Sequence, residues 1–310
     1  MLKGVMPALI TPMTRAGEVD VAGLHRLLDH VFTADISGLV TSGSTGEGAR
    51  LTAAQRLTVL TEVSRRCSNR VPILATAYLP SPADTSELDE LARAGATTIL
   101  VPPPTYFPLT DHEVQRYYEL VAEKAPIPIV LYNIPVFTKI SISPAVVGHL
   151  SAHPSVVGIK DSSQNLQYQK SLRTTAGINR DFSILTGNDT TLISSMGAGV
   201  NGAIVASANI FPCLAVALYD AIVCKQLRQA VVLQARIVEL VELCRSVPFP
   251  TGWKLAAAAL RICEPTPVPP AICSEDDVTS EVLTKIRQFN VADNLKVYGP
   301  QTSPGVAVVG

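Results

Sequence analysis

Three short stretches of this chain carry residues that could act together on a carbonyl compound. The first is GSTGEG at 43–48, directly after the apolar run Gly38-Leu39-Val40. Its glycines let the backbone curl, and Ser44, Thr45 and Glu47 add two hydroxyls and a carboxylate. Such a loop can cradle a nucleotide phosphate or a substrate carboxylate, or it can be only a tight turn. The second stretch is VVGIKDSS at 156–163. Of nine lysines, Lys160 is the one inside an apolar run that reads as a buried strand. A buried ammonium is costly, and the usual escape is loss of the proton, which leaves an amine able to attack a ketone and form a Schiff base. The competing role is a structural ion pair with Asp161, but consecutive strand residues face opposite sides. The third stretch, IPIVLYNIP at 127–135, carries Tyr132 near its end. A phenol there could move a proton to and from an imine, or could simply plug the strand ends.

These stretches need elements that bring them together. Eight runs rich in Val, Ile, Leu and Ala recur, at 5–12, 38–43, 71–78, 97–103, 127–135, 156–163, 182–189 and 202–209. Each is nearly continuous in apolar residues, the pattern of strands buried on both faces. Amphipathic stretches intervene, such as 21–32, 52–67 and 111–124, and the second opens on a capping box of Thr52 and Gln55. Eight strand–helix units predict an α/β fold, a TIM (β/α)8 barrel. An open doubly wound sheet would carry a glycine fingerprint after the first run, which is absent. We expect residues 1–212 to hold the barrel strands and most of the helices with the active site, 213–295 to form C-terminal helices packed on the barrel, and 296–310 to be a loose tail. Chemistry in such a barrel gathers at the C-terminal strand ends. Those ends hold Thr11, Ser42–Glu47, Thr76, Tyr106, Tyr132, Lys160, Asp161, Asn188, Asp189 and Ser207.

Composition excludes other classes. The formal net charge is −1 and no Lys/Arg cluster occurs, which argues against a nucleic-acid partner. No apolar run reaches the roughly 18 residues of a membrane span. Pro7 and Pro12 interrupt the apolar N-terminus, so a soluble cytoplasmic protein is expected. The six cysteines form no C-x-x-C pair and read as reduced structural thiols. His149 and His153, at i and i+4, could clasp a metal, but no H-E-x-x-H glutamate accompanies them, so metal-free chemistry is expected.

In this order and spacing, G-S-T-G-E at 43–47, Y-N-I-P at 132–135 and G-I-K-D at 158–161 resemble the dihydrodipicolinate synthase/N-acetylneuraminate lyase family. These are class I, Schiff-base aldolases that handle pyruvate on a TIM barrel, and the resemblance runs from about residue 3 to residue 290. It implies Lys160 as the imine lysine, Tyr132 as the proton-transfer tyrosine, and Ser44 and Thr45 as binders of the substrate carboxylate. Gly43, Ser162 and Gly187 are expected beside the substrate. Tyr106 matches the tyrosine that a neighbouring subunit contributes to a hydroxyl relay with Tyr132 and residue 44. The resemblance also implies a homotetramer, a dimer of dimers, with no cofactor beyond the covalent imine on Lys160. The loop at 43–48 then reads as a carboxylate nest. A nucleotide loop would want a lysine after the glycines, and Gly48 is followed by Ala49-Arg50.

Departures from the family pattern narrow the substrate. The synthases place an arginine two residues beyond the proline of Y-N-x-P to grip a second carboxylate, whereas this chain has Phe137. They also show two adjacent aromatics where Thr105-Tyr106 stands, and Thr where Ser44 stands. The lyase branch reads G-x-D-E after the seventh strand, with both acids on sugar hydroxyls. Here Gly187-Asn188-Asp189-Thr190 keeps only the Asp, and Ala206 replaces a sugar-binding serine. The expected substrate is a 2-keto-3-deoxy sugar acid or a 4-hydroxy-2-oxo acid, with Asp189 and Thr190 meeting its hydroxyls. Alternatives are a dehydratase using the same imine, 4-hydroxy-tetrahydrodipicolinate synthesis, and a non-catalytic sugar-acid binding protein.

Overall fold

A computed structural model describes residues 1–175, 181–273 and 277–293. Each of the eight apolar runs supplies one strand. They are β1 (Gly4–Pro7), β2 (Leu39–Thr41), β3 (Ile73–Thr76), β4 (Thr98–Val101), β5 (Ile129–Asn133), β6 (Val156–Asp161), β7 (Ser183–Thr186) and β8 (Gly202–Val205). All pairs are parallel, in the order β1-β8-β7-β6-β5-β4-β3-β2. The ring closes through a parallel Ala8–Val40 bridge, where the Leu9 N–H donates to the Val40 carbonyl at 2.9 Å. This is a TIM barrel and not an open sheet. The pleat sends Met6, Val40, Leu74, Leu100 and Leu185 into the barrel, while Val5, Leu39, Ile73, Ile99 and Ile184 pack against the helices. Both faces are therefore dry, which is why the runs show no alternation.

The helices outside the barrel are α1 (Val21–Val31), α2 (Ala53–Cys67), α3 (Ser86–Arg93) and α4 (Asp111–Lys124). After β5 come α5 (Pro135–Thr138) and α6 (Pro144–Leu150), followed by α7 (Leu166–Thr175), α8 (Leu192–Gly197) and α9 (Pro212–Val223). Thr52 caps α2 with both halves of the capping box formed. Helix α9 follows β8 as the eighth barrel helix, so the block beginning at 213 contains it as well as the additions. The added helices are α10 (Leu227–Arg245), α11 (Thr251–Ala259) and α12 (Asp277–Asp293). Helix α10 reaches the catalytic end of the barrel, where the Gln234 side-chain amide donates to the Asp189 carbonyl at 2.9 Å. No described helix is long and apolar enough to cross a membrane. The expected tail at 296–310 lies outside the described residues. Cys67, Cys244 and Cys263 are buried, whereas Cys213 and Cys224 are exposed.

Candidate active site

Register decides where Lys160 points. It lies opposite Tyr132 on β5 and Leu185 on β7, and both of those fill the barrel interior. Lys160 therefore faces inward and is only 4% exposed. Its Nζ donates to the Tyr132 hydroxyl at 3.1 Å and stands 4.2 Å from the centre of the Tyr132 ring. The Tyr132 hydroxyl lies 3.3 Å from Ser44 Oγ. An unbroken Ser44–Tyr132–Lys160 chain results. Asp161, one residue on, faces the helices, where it accepts from Asn133 Nδ2 at 2.8 Å, Gln169 Nε2 at 3.0 Å and the Ser163 amide at 3.1 Å. The structural ion pair is thus not made, and no carboxylate pairs with Lys160 among the described residues.

The 43–48 loop is drawn tight by its own amides: Gly48 N–H donates to the Gly43 carbonyl and Glu47 N–H to the Ser44 carbonyl, each at 3.1 Å. Thr11 Oγ1 donates to the Gly46 carbonyl at 2.7 Å. A Cβ at position 48 would collide with the Ser42 carbonyl, so only glycine fits there. Between these bonds, the Ser44 and Thr45 amides have no partner among the described residues, which leaves two N–H groups and two hydroxyls for one small anion. Tyr78 supports the loop by donating its hydroxyl to the Ser42 carbonyl at 2.9 Å. Burial, and secondarily the neighbouring Tyr132, push the Tyr78 phenol well above its ordinary range, so it stays a donor. The Glu47 side chain is buried. Its carboxylate meets Lys254 Nζ at 2.6 Å, and Lys254 is a second buried lysine that the strand pattern did not single out. Burial pulls the Lys254 amine below its ordinary value, and the Glu47 charge opposes that.

The remaining candidates divide. Ser162 and Gly187 lie beside Lys160, and a Cβ at 187 would stand 2.9 Å from Lys160 Cε. Asp189 is placed differently from the sequence reading: its carboxylate accepts from the Ser207 amide at 2.8 Å and the Ala206 amide at 3.3 Å, bracing the loop after β8. Burial raises its pKa above the usual carboxylate value, against those hydrogen bonds. Thr190 likewise donates to Asn188 Oδ1 at 3.0 Å instead of facing the mouth unengaged. Phe137 borders a cavity of about 460 Å³ that opens on Ser44 and Tyr132. Phe249 borders it too, with ring centroids 5.7 Å apart, and Ile134 and Pro250 extend the same wall. Phe249 escaped sequence reading because it follows α10, far from every strand end. Its only local signal is an aromatic between two prolines in VPFPTG. Tyr106 does not border its own chain's cavity. It is 91% exposed at φ 94°, edge-to-face with Phe107. His149 contacts Glu119 at 3.0 Å and His153 accepts from the Ser155 amide, so the two do not converge on a shared site.

The chain matches the model of the dihydrodipicolinate synthetase family over residues 1–289. It is 32% identical to the 4-hydroxy-tetrahydrodipicolinate synthase of Ruegeria pomeroyi over 283 residues, 91% of this chain and 97% of that protein. It is 33% identical to the enzyme of the same name from Acidiphilium cryptum over 261 residues, 84% and 89% of the two chains. Among solved structures, YagE, a prophage protein of the dihydrodipicolinic acid synthase family from E. coli K12 in complex with pyruvate, superposes with a TM-score of 0.88 at 27% identity, covering 94% of this chain and 99% of that one. Dihydrodipicolinate synthase from Bacteroides thetaiotaomicron gives 0.87 at 28% identity, covering 93% and 98%. With eight parallel strands closed around an inward lysine and three family motifs in place, the chain belongs to the dihydrodipicolinate synthetase family.

Proposed function

We propose that this protein is a class I, Schiff-base aldolase that releases or uses pyruvate through an imine on Lys160. The observation that carries this reading is the Ser44–Tyr132–Lys160 chain, in which an inward amine meets a phenol and, among the described residues, no carboxylate. The Lys160 amine adds to the ketone carbon of the 2-oxo acid, and water leaves with a proton delivered by Tyr132. The imine draws electrons from the adjoining carbon. In cleavage, the C3–C4 bond breaks, the aldehyde departs as its C4 hydroxyl loses a proton, and the resulting enamine takes up a proton before hydrolysis frees pyruvate. The Ser44 and Thr45 amides and hydroxyls hold the 2-oxo acid carboxylate. YagE, a structural neighbour, was solved with pyruvate, which supports the choice of keto acid. The protein needs no cofactor beyond the covalent imine.

One wall of the cavity is Phe137, Phe249 and Ile134, with no charge at position 137, while Arg50 and Arg56 border it elsewhere, and we place the second substrate against the apolar wall. This favours a 4-hydroxy-2-oxo acid, or a 2-keto-3-deoxy sugar acid with few polar partners, over an aldehyde bearing a carboxylate. The relatives named 4-hydroxy-tetrahydrodipicolinate synthase favour the synthase alternative, and position 137 is where the two readings part. Tyr106 completes the site of a neighbouring copy in a homotetramer, and its exposure and left-handed backbone support that role. Incubation with pyruvate in D2O tests the enamine: the methyl proton signal should decay with wild type and persist with Lys160→Ala. Equal persistence with both would refute the reading.

A further inference from the structure

We infer that the buried Glu47–Lys254 pair is a positioning device for the anion-binding loop, through which α11 and the 264–270 connector hold Ser44 and Thr45 in place. The inference rests on the reading above that this loop receives the carboxylate of pyruvate. Lys254 is 0% exposed, and its Nζ reaches Glu47 Oε1 at 2.6 Å and the Thr266 carbonyl at 2.7 Å. Glu47 Oε2 accepts from the Val268 amide at 2.9 Å and from Arg50 Nη1 at 3.2 Å. Val268 itself packs on Met13 and Leu51, on either side of the loop in sequence. One carboxylate thus ties the loop to two segments more than 200 residues away along the chain.

Two features point to placement of the loop and not to stability alone. A buried ion pair is an inefficient stabiliser, since apolar residues of similar volume often serve as well or better. The loop also holds Ser42 at φ 55° and Glu47 at φ 56°, left-handed conformations that non-glycine residues keep only where their surroundings over-determine them. Ser42 is held by Tyr78 through its carbonyl, and Glu47 is held by Lys254 and Val268. The unpartnered Ser44 and Thr45 amides lie between these two pinned, strained residues, so their direction is set from outside the loop.

The test uses Glu47→Asp, which keeps the charge but shortens the tie, and the double variant Glu47→Gln/Lys254→Met, which removes both charges. The readouts are the pyruvate concentration giving half-maximal borohydride trapping at Lys160, the trapping rate at saturation, and amide hydrogen exchange at 43–48. Positioning predicts that folded variants need about 10-fold more pyruvate, with a saturated rate within about threefold of wild type, as expected when about one well-made hydrogen bond to the carboxylate is lost. It also predicts faster exchange at 43–48 while β6 exchanges as in wild type. A purely structural tie would lower the melting temperature and leave the half-saturating pyruvate unchanged, and that outcome in Glu47→Asp overturns the inference. Should wild type itself resist trapping, the aldolase reading fails, and exchange at 43–48 still decides whether the pair holds the loop.

Discussion

Gly187 and Lys160 share one small volume at the barrel mouth: a Cβ on residue 187 would lie 2.9 Å from Lys160 Cε and collide with Ser162 Oγ. The backbone at 187 is not left-handed, so alanine is conformationally allowed there and its effect is one of space. Gly187→Ala should fold normally yet slow imine formation by about 10- to 100-fold, since displacing a reacting group by about 1 Å costs on that order. Single-turnover trapping beside a thermal melt checks this. An unchanged trapping rate would show that Lys160 does not depend on the space at 187.

Tyr106 and Phe107 present two large aromatic rings to solvent, held edge-to-face at a ring separation of 4.9 Å. If Tyr106 serves a neighbouring copy, the protein should scatter light as a tetramer, and at least as a dimer. Tyr106→Phe should still form the imine but turn over about 10²-fold more slowly, the lower end of what one proton-transfer group contributes. A fully active monomer would contradict this assignment.

Position 137 separates two substrate classes. A charge-assisted hydrogen bond contributes about 1.5–3 kcal/mol, so lacking it should cost aspartate semialdehyde about 10- to 150-fold in kcat/KM. Wild type should therefore cleave a 4-hydroxy-2-oxo acid whose aldehyde half is uncharged faster than it condenses pyruvate with aspartate semialdehyde, and Phe137→Arg should shift the ratio toward condensation. A wild-type preference for aspartate semialdehyde would assign the chain to synthesis.

His30, in the last turn of α1, has Nε2 2.8 Å from the carbonyl of Ile210 in the loop after β8, and burial holds its pKa below 6.5. The folded state keeps the ring neutral, whereas the unfolded chain protonates it as pH falls below about 6.5. The unfolded state then binds more protons, so stability contributed by the neutral ring is present above pH 6.5 and lost as pH falls toward the depressed folded value. His30→Gln should show a shallower loss of melting temperature between pH 7.5 and 5.5 than wild type. Parallel curves would show that His30 titrates alike in both states.

The barrel was legible because its strands are dry on both faces and so stand out as apolar runs, with a single lysine breaking the sixth. The pleat alone placed Asp161 on the far side from Lys160, as observed. What escaped depends on direction or long separation. Glu47 sits in a motif that reads as an anion loop, yet its partner is Lys254 on a helix beyond the barrel. Asp189 lies at a strand end, but loop geometry turns its carboxylate onto the Ser207 amide. Phe249 borders the mouth from the connection between α10 and α11, far along the chain from the strand ends it joins. Local pattern carries no information on such tertiary choices.

The proposed chemistry stands or falls with the Lys160 amine as the group that captures a 2-oxo acid. Incubation with pyruvate and borohydride, followed by peptide mass mapping, measures it directly. One reduced pyruvyl adduct is expected, on Lys160, absent from Lys160→Ala although that variant folds. An adduct on another lysine, Lys254 included, or none with any 2-oxo acid, would contradict it.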